Sequence, residues 1–152
     1  KLINLAGFVP DEDYVIELGK GRSMRRGADV TLVGMSYTSV VCQKAAEQLA
    51  EIGIDAEVID MMSLSPFDED ILIESVAKTN NVVIVDEDTP RASMASEFAA
   101  VIADKAFDHL DAPVKRVTSP HSPVPYNSAL EQEFMPQPAD VVGTVKNLLG
   151  RE

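Results

Sequence analysis

Three features of this 152-residue sequence predict a doubly wound α/β domain. Short apolar runs rich in β-branched residues alternate with segments whose apolar positions recur every three or four residues. The alternation repeats three times from residue 28 onward, and glycines or capping residues separate the segments. Parallel strands joined by right-handed crossovers need a helix to return, so this order gives a parallel sheet with helices on both faces. A helix bundle would lack the apolar runs, and a β-sandwich would lack the helical period.

Residues 1–27 carry no sustained period and read as a lead-in, with acidic Asp11, Glu12, Asp13 and Glu17 followed by basic Lys20, Arg22, Arg25 and Arg26. The run Asp29–Met35 is a strand of the kind covered on both faces. Ser36 or Thr38 then caps a helix whose apolar positions are Val41, Ala45, Leu49 and Ile52, stopped by Gly53. Ala56–Met62 is the second strand. Ser65-Pro66-Phe67-Asp68 predicts a helix start, with serine at the N-cap, proline in the first turn and a carboxylate at the third position; the helix reaches about Thr79. Asn81–Asp86 is the third strand, followed by a turn and a helix capped at Ser93 with Met94, Phe98, Val101 and Ile102 inward. Pro113–Thr118 is a weaker strand near the sheet edge, where a leading proline is tolerated. A proline-rich stretch, Pro120 to Pro138, precedes a terminal helix bearing Val141, Val142, Val145, Leu148 and Leu149.

The balance of 13 basic against 25 acidic residues, −12 in all, counts against binding to nucleic acid or anionic membranes. The lone cysteine, Cys42, permits no internal disulfide, which fits a reducing compartment: the cytoplasm, or the mitochondrial matrix if the source is eukaryotic. The basic cluster Lys20–Arg26 is expected to pair with acidic surface. Because the chain begins at Lys1 with neither methionine nor a signal-like stretch, it is expected to be a processed product or a fragment of something longer.

In doubly wound sheets, ligands bind beyond the carboxyl ends of the strands, which places Gly34–Thr38, Ser63–Phe67, Asp86–Ser93 and Ser119–Tyr126 under scrutiny. None carries a dinucleotide or phosphate-loop signature. Ser36, Thr38 and Ser39 have the chemistry to cradle an anion at a helix N-terminus, but capping accounts for them more simply. Gly34-Met35-Ser36 is half of a nucleophile elbow without its closing glycine, and a hydrolase pairing Ser36 with His121 lacks an oxyanion motif. Asp86, Glu87 and Asp88 are chemically able to bind magnesium or act as paired carboxylates; a solvated loop with Arg91 as partner is the simpler reading. His109 sits in the last turn of its helix, a structural position. His121 and Tyr126 lie in a loop stiffened by Pro120, Pro123 and Pro125. Cys42 reads as a small core hydrophobe. No catalytic, cofactor-binding or metal-ligating residue is assigned on these grounds.

The stretches Asp29–Val33, Ala56–Asp60, Ser63–Asp68, Val82–Glu87, Asp111–Val117 and His121–Tyr126, in this order, resemble the C-terminal, transketolase-like domain of the beta subunit of thiamine-diphosphate-dependent 2-oxo acid dehydrogenases of the pyruvate, acetoin and branched-chain type. Val9–Gly27 resembles the segment that enters that domain. Pro120–Pro125 is most similar to the pyruvate and acetoin branches. The resemblance implies a three-layer α/β/α fold with a five-stranded, mostly parallel sheet and one antiparallel edge strand, formed by Arg22–Arg26. It also implies that residues 28–152 form one domain of a longer beta subunit. Thiamine diphosphate and magnesium would be held elsewhere in the full complex. This domain would serve association with the alpha subunit, with other beta subunits and with the dihydrolipoyl acyltransferase core, docking through Phe107, Asp111 and Arg116. An acidic surface around Asp104, Asp108 and Asp111 would steer that encounter. The alternative is a stand-alone flavodoxin-like domain binding a nucleotide or another small molecule through Gly34–Thr38 and Asp86–Ser93.

Overall fold

The computed structural model describes residues 2, 6–8 and 10–151. Lys1 and Val9, which open the chain and the lead-in resemblance, lie outside the described residues.

The strands are β1 (Arg22–Arg25), β2 (Val30–Gly34), β3 (Ala56–Asp60), β4 (Val82–Asp86) and β5 (Lys115–Thr118). They form a single sheet in the order β1-β3-β2-β4-β5. Pairing is parallel throughout except that β1 runs antiparallel to β3, with a register shift between Ser23 and Arg25. The five-stranded mixed sheet is therefore the one the resemblance implied, and its antiparallel member occupies an edge.

The helices are α1 (Tyr37–Glu51), α2 (Glu69–Thr79), α3 (Met94–Lys105), α4 (Ser128–Phe134) and α5 (Pro138–Leu148). On one face α1 and α5 cover Val30, Leu32, Val58, Val83 and Val85; on the other, α2 and α3 cover Val33, Ile59, Val82 and Ile84. Every residue of β2 and β4 is buried, which is why both read as unbroken apolar runs. The chain moves outward from β2 to β3 and then crosses back to β4, so β2 and β4 flank the point where the winding reverses. A crevice at their carboxyl ends follows from that topology.

Several expected boundaries shift. The second strand ends at Asp60 rather than Met62, and the last begins at Lys115, leaving Pro113 ahead of it. Helix α2 starts at Glu69, not at Ser65-Pro66. Asp68 is its N-cap, with a carboxylate oxygen accepting from the Ile71 N–H at 3.3 Å, and the Ser65–Pro66 peptide is cis. The other Asp68 oxygen accepts from the Gly21 N–H at 3.1 Å, so this cap also ties down the lead-in. His109 lies not in the last turn of α3 but in a separate 3-10 turn, Phe107–His109. The proline-rich stretch contains α4, which its flanking prolines disguised; no residue of that helix is buried.

Among the described residues, three of the four members of the basic cluster pair with carboxylates, and Arg26 does not. Lys20 meets Asp68 at 3.9 Å, Arg22 meets Asp60 at 3.3 Å and Arg25 meets Asp55 at 3.4 Å. Cys42 is fully buried in the core, and burial, followed by the Asp60 charge, pushes its thiol far above the usual range.

Candidate functional site

The crevice between β2 and β4 holds an open cleft of about 490 Å³. Its walls come from three separate loops: Met35 and Ser36 after β2, Leu64 after β3, and Asp86, Glu87, Asp88 and Met94 around the β4–α3 connection. Val124 closes it from the loop after β5. A second hollow of about 310 Å³ shares Met35, Ser36 and Leu64 and extends to Asp60 and Met62.

Both helix entrances that border the cleft hold a non-glycine residue at positive φ, Ser36 at 54° and Ala92 at 54°. Such backbone costs roughly 1–3 kcal/mol and persists only where surrounding contacts impose it. At Ser36 the cause is visible. A Cβ added to Gly34 would lie 2.6 Å from the Ser39 nitrogen, so β2 runs directly against the first turn of α1 and the chain must turn sharply. Ser36 occupies the N-cap of α1 but makes no side-chain capping bond, and Thr38 does not cap either. The Thr38 hydroxyl donates to the Met35 carbonyl at 2.9 Å and accepts from the Met35 N–H at 3.0 Å. Neither hydroxyl therefore caps α1 as the sequence predicts. Ser39 donates to Asp60 at 2.6 Å.

Asp86 is not a solvated loop residue. It is buried, accepts from the Ala95 N–H at 3.1 Å and from the Asp88 N–H at 3.0 Å, and so caps α3 in place of Ser93, which makes no side-chain capping bond. From the end of β4 this carboxylate faces the N-terminal turn of α3, where it also meets the positive end of the helix dipole. Glu87 and Asp88 are exposed. Arg91 is exposed too, and among the described residues it forms no ion pair with them. His121 and Tyr126 are exposed, Tyr126 completely, on the loop that sends Val124 to the cleft.

The docking candidates separate. Phe107, 69% exposed, and Asp111 lie beyond the end of α3 together with exposed Asp108, and exposed Asp104 sits in the last turn of that helix. Arg116 instead donates to the Pro90 carbonyl at 2.8 Å and to the Ser96 hydroxyl at 2.6 Å, at the start of α3. A helix of 12 residues, about 18 Å long, stands between the two locations. Arg116 thus secures the loop that frames the cleft.

A buried polar network that no local sequence motif announces lies beneath α2. Glu57, on β3, accepts from the Ser75 hydroxyl and from Lys78 at 2.5 Å. The Thr31 hydroxyl lies 2.7 Å from those of both Ser75 and Thr79. The available signal was Ser75, Lys78 and Thr79 at positions i, i+3 and i+4 on a helix meant to bury one face.

The residues here do not fit a diphosphate–magnesium site. Among the described residues no group of three or more His, Cys, Asp or Glu is arranged to hold a metal ion, and the best-placed carboxylate, Asp86, is spent on two backbone N–H groups.

Residues 19–141 match the family described as transketolase, C-terminal domain. The chain belongs to that family. Over 147 residues it is 48% identical to the acetoin:2,6-dichlorophenolindophenol oxidoreductase subunit beta of Bacillus subtilis (strain 168), covering 97% of this chain and 43% of that protein. It is 40% identical over 148 residues to the pyruvate dehydrogenase E1 component subunit beta of Cyanidium caldarium, covering 97% of this chain and 45% of that one. Among solved structures, a split gene transketolase, described as an inactive beta4 tetramer, superposes with a TM-score of 0.78 at 31% identity, covering 94% of this chain and 45% of that chain. This transketolase C-terminal domain thus spans less than half the length of these relatives.

Proposed function

We propose that this chain is the C-terminal assembly and partner-docking part of the beta subunit of a thiamine-diphosphate-dependent 2-oxo acid dehydrogenase of the pyruvate or acetoin type. Its role is to support decarboxylation and acyl transfer to lipoyl by holding subunits together. The observation that carries this reading is the 48% identity, across 97% of the chain, to the beta subunit of an acetoin oxidoreductase. The alpha subunit, other beta subunits and a dihydrolipoyl acyltransferase core are the partners, thiamine diphosphate and magnesium are bound outside this domain, and the working location is the cytoplasm or, in a eukaryote, the mitochondrial matrix.

Reconstitution tests this. The full-length beta subunit mixed with its alpha subunit, thiamine diphosphate and magnesium is expected to turn over pyruvate or acetoin, while the 152-residue chain alone is inactive. Turnover by the isolated chain, or a full-length beta subunit that does not associate with alpha, overturns the reading. Specific thermal stabilisation of the isolated chain by a nucleotide or flavin would support the stand-alone alternative instead.

A further inference from the structure

The cleft at the carboxyl ends of β2 and β4 combines apolar walls with acidic charge that no ion pair among the described residues neutralises. Met35, Leu64, Met94 and Val124 make its walls apolar, while Glu87 and Asp88 make its rim acidic; among the described residues no lysine or arginine lines it. The ion pairs found among the described residues engage Asp55, Glu57, Asp60, Asp68 and Glu69, and none reaches Glu87 or Asp88. Leu64 is 43% exposed and Val124 67% exposed, so the apolar walls continue outward onto the surface. Two elements hold the rim in place before any partner arrives. Asp86 locks the start of α3, and Arg116 grips Pro90 and Ser96. The cleft volume lies within the range of ordinary binding pockets, roughly 300–1,000 Å³.

Asp88 accepts from the Thr89 N–H at 2.6 Å, but a neutral apolar ligand would leave the charges of both carboxylates uncompensated, and a small cation alone would leave the walls wet. A cationic head on an aliphatic stem beside a second aliphatic group satisfies both. We propose that the cleft is a socket for a partner-protein segment presenting arginine or lysine next to a bulky aliphatic residue. This rests on the reading of the chain as a docking domain. It adds a contact face near the start of α3, away from Phe107 and Asp111 beyond its end. The carboxylates mainly speed and orient the encounter, and the methionine and leucine walls adapt to the inserted side chain.

The probe is the pentapeptide acetyl-Leu-Arg-Leu-Arg-Leu-amide, titrated into the chain with methyl-labelled methionines and followed by NMR; acetyl-Leu-Glu-Leu-Glu-Leu-amide is the control. The basic peptide is expected to shift the Met35 and Met94 methyl signals saturably, with affinity falling as salt rises, and the acidic peptide is expected to leave them in place. Glu87→Gln combined with Asp88→Asn should weaken binding about tenfold, an effect of about 1.4 kcal/mol, as should Val124→Ser alone. All three side chains are exposed, so native circular dichroism should persist and a loss of binding is not a loss of fold. Equal shifts with both peptides, unmoved Met35 and Met94, or unchanged affinity in the variants overturns the proposal. No other subunit enters this titration, so it can fail while the reconstitution succeeds, and the reverse.

Discussion

The sheet and the lead-in use the same kinds of residue to opposite ends. In β2 and β4, valine, leucine and isoleucine are fully or almost fully buried between two helical layers. In the lead-in, Phe8 is 92% exposed, Tyr14 64%, Val15 96%, Ile16 55% and Leu18 86%. A chain that is 45% hydrophobic therefore does not place all of that content in its core. The sheet accounts for folding. The lead-in holds a concentration of apolar surface of the kind that marks contact with another protein surface. Composition treats the two alike, and only the pattern tells them apart: the buried runs sit between turn signals at regular intervals, whereas Tyr14–Leu18 is surrounded by carboxylates with no helix or strand of its own.

The sharpest way to break the folded side of this contrast is to hollow it out. Phe98 is fully buried in the α2/α3 layer and meets the Phe67 ring edge-on at 5.1 Å. Phe98→Ala should cost about 3–5 kcal/mol, read as a lowered urea midpoint, because the surrounding side chains close only part of the cavity. A cost below about 1 kcal/mol would mean that this layer repacks freely. Next in size is the polar network in the same layer. Glu57→Ala removes the acceptor for Ser75 and should cost about 1–3 kcal/mol. Lys78→Met, at the half-exposed end of that ion pair, should change stability by no more than about 1 kcal/mol. Equal costs for the two would show that the charge pair, rather than the buried acceptor, matters there.

The legible and illegible parts of the molecule divide along physical lines. The central strands and α1, with Gly53 at φ 74° closing it, are readable because burial on both faces or on one stripe leaves a period in the sequence. Strand β1 follows only from the resemblance, since four residues, two of them arginine, at a sheet edge leave no pattern. The sequence points to Ser65-Pro66 as the start of α2 because that pair has the right local chemistry, whereas the actual cap, Asp68, is also fixed by a bond to Gly21, 47 residues away. The same holds at the site. Asp86 reads as one of three loop carboxylates until the fold sets it against the first turn of α3, and nothing in the sequence near Arg116 shows that its guanidinium lies on Ser96. The cleft joins side chains from four loops, so its contents depend on strand order and are invisible to any local motif.

That dependence gives the third effect in order of size. Asp86→Ala removes the acceptor for the Ala95 and Asp88 N–H groups and should cost about 0.5–2 kcal/mol as a lost helix cap. Asp86→Asn keeps one acceptor oxygen and should recover part of that loss. If alanine and asparagine prove equal to the native residue in thermal melts, the α3 entrance is held by Arg116 and the Ser119–Asp88 backbone bond instead.

The smallest expected effect bears on the other side of the contrast. Val15→Ser together with Leu18→Ser replaces two side chains that are almost wholly in water, so the melting transition of the isolated chain should stay within about 0.5 kcal/mol of the native one. The same pair of substitutions in the full-length beta subunit should weaken its association with partner subunits, measured as a raised dissociation constant by sedimentation. An apolar surface buried only in the assembly contributes nothing to the stability of the part and a good deal to that of the whole. A loss of stability in the isolated chain would mean that the lead-in packs on this domain in solution and belongs to its core. No change in either measurement would leave five exposed apolar side chains doing neither job, and the division between a folding surface and an assembly surface would fail at the place where it is most visible.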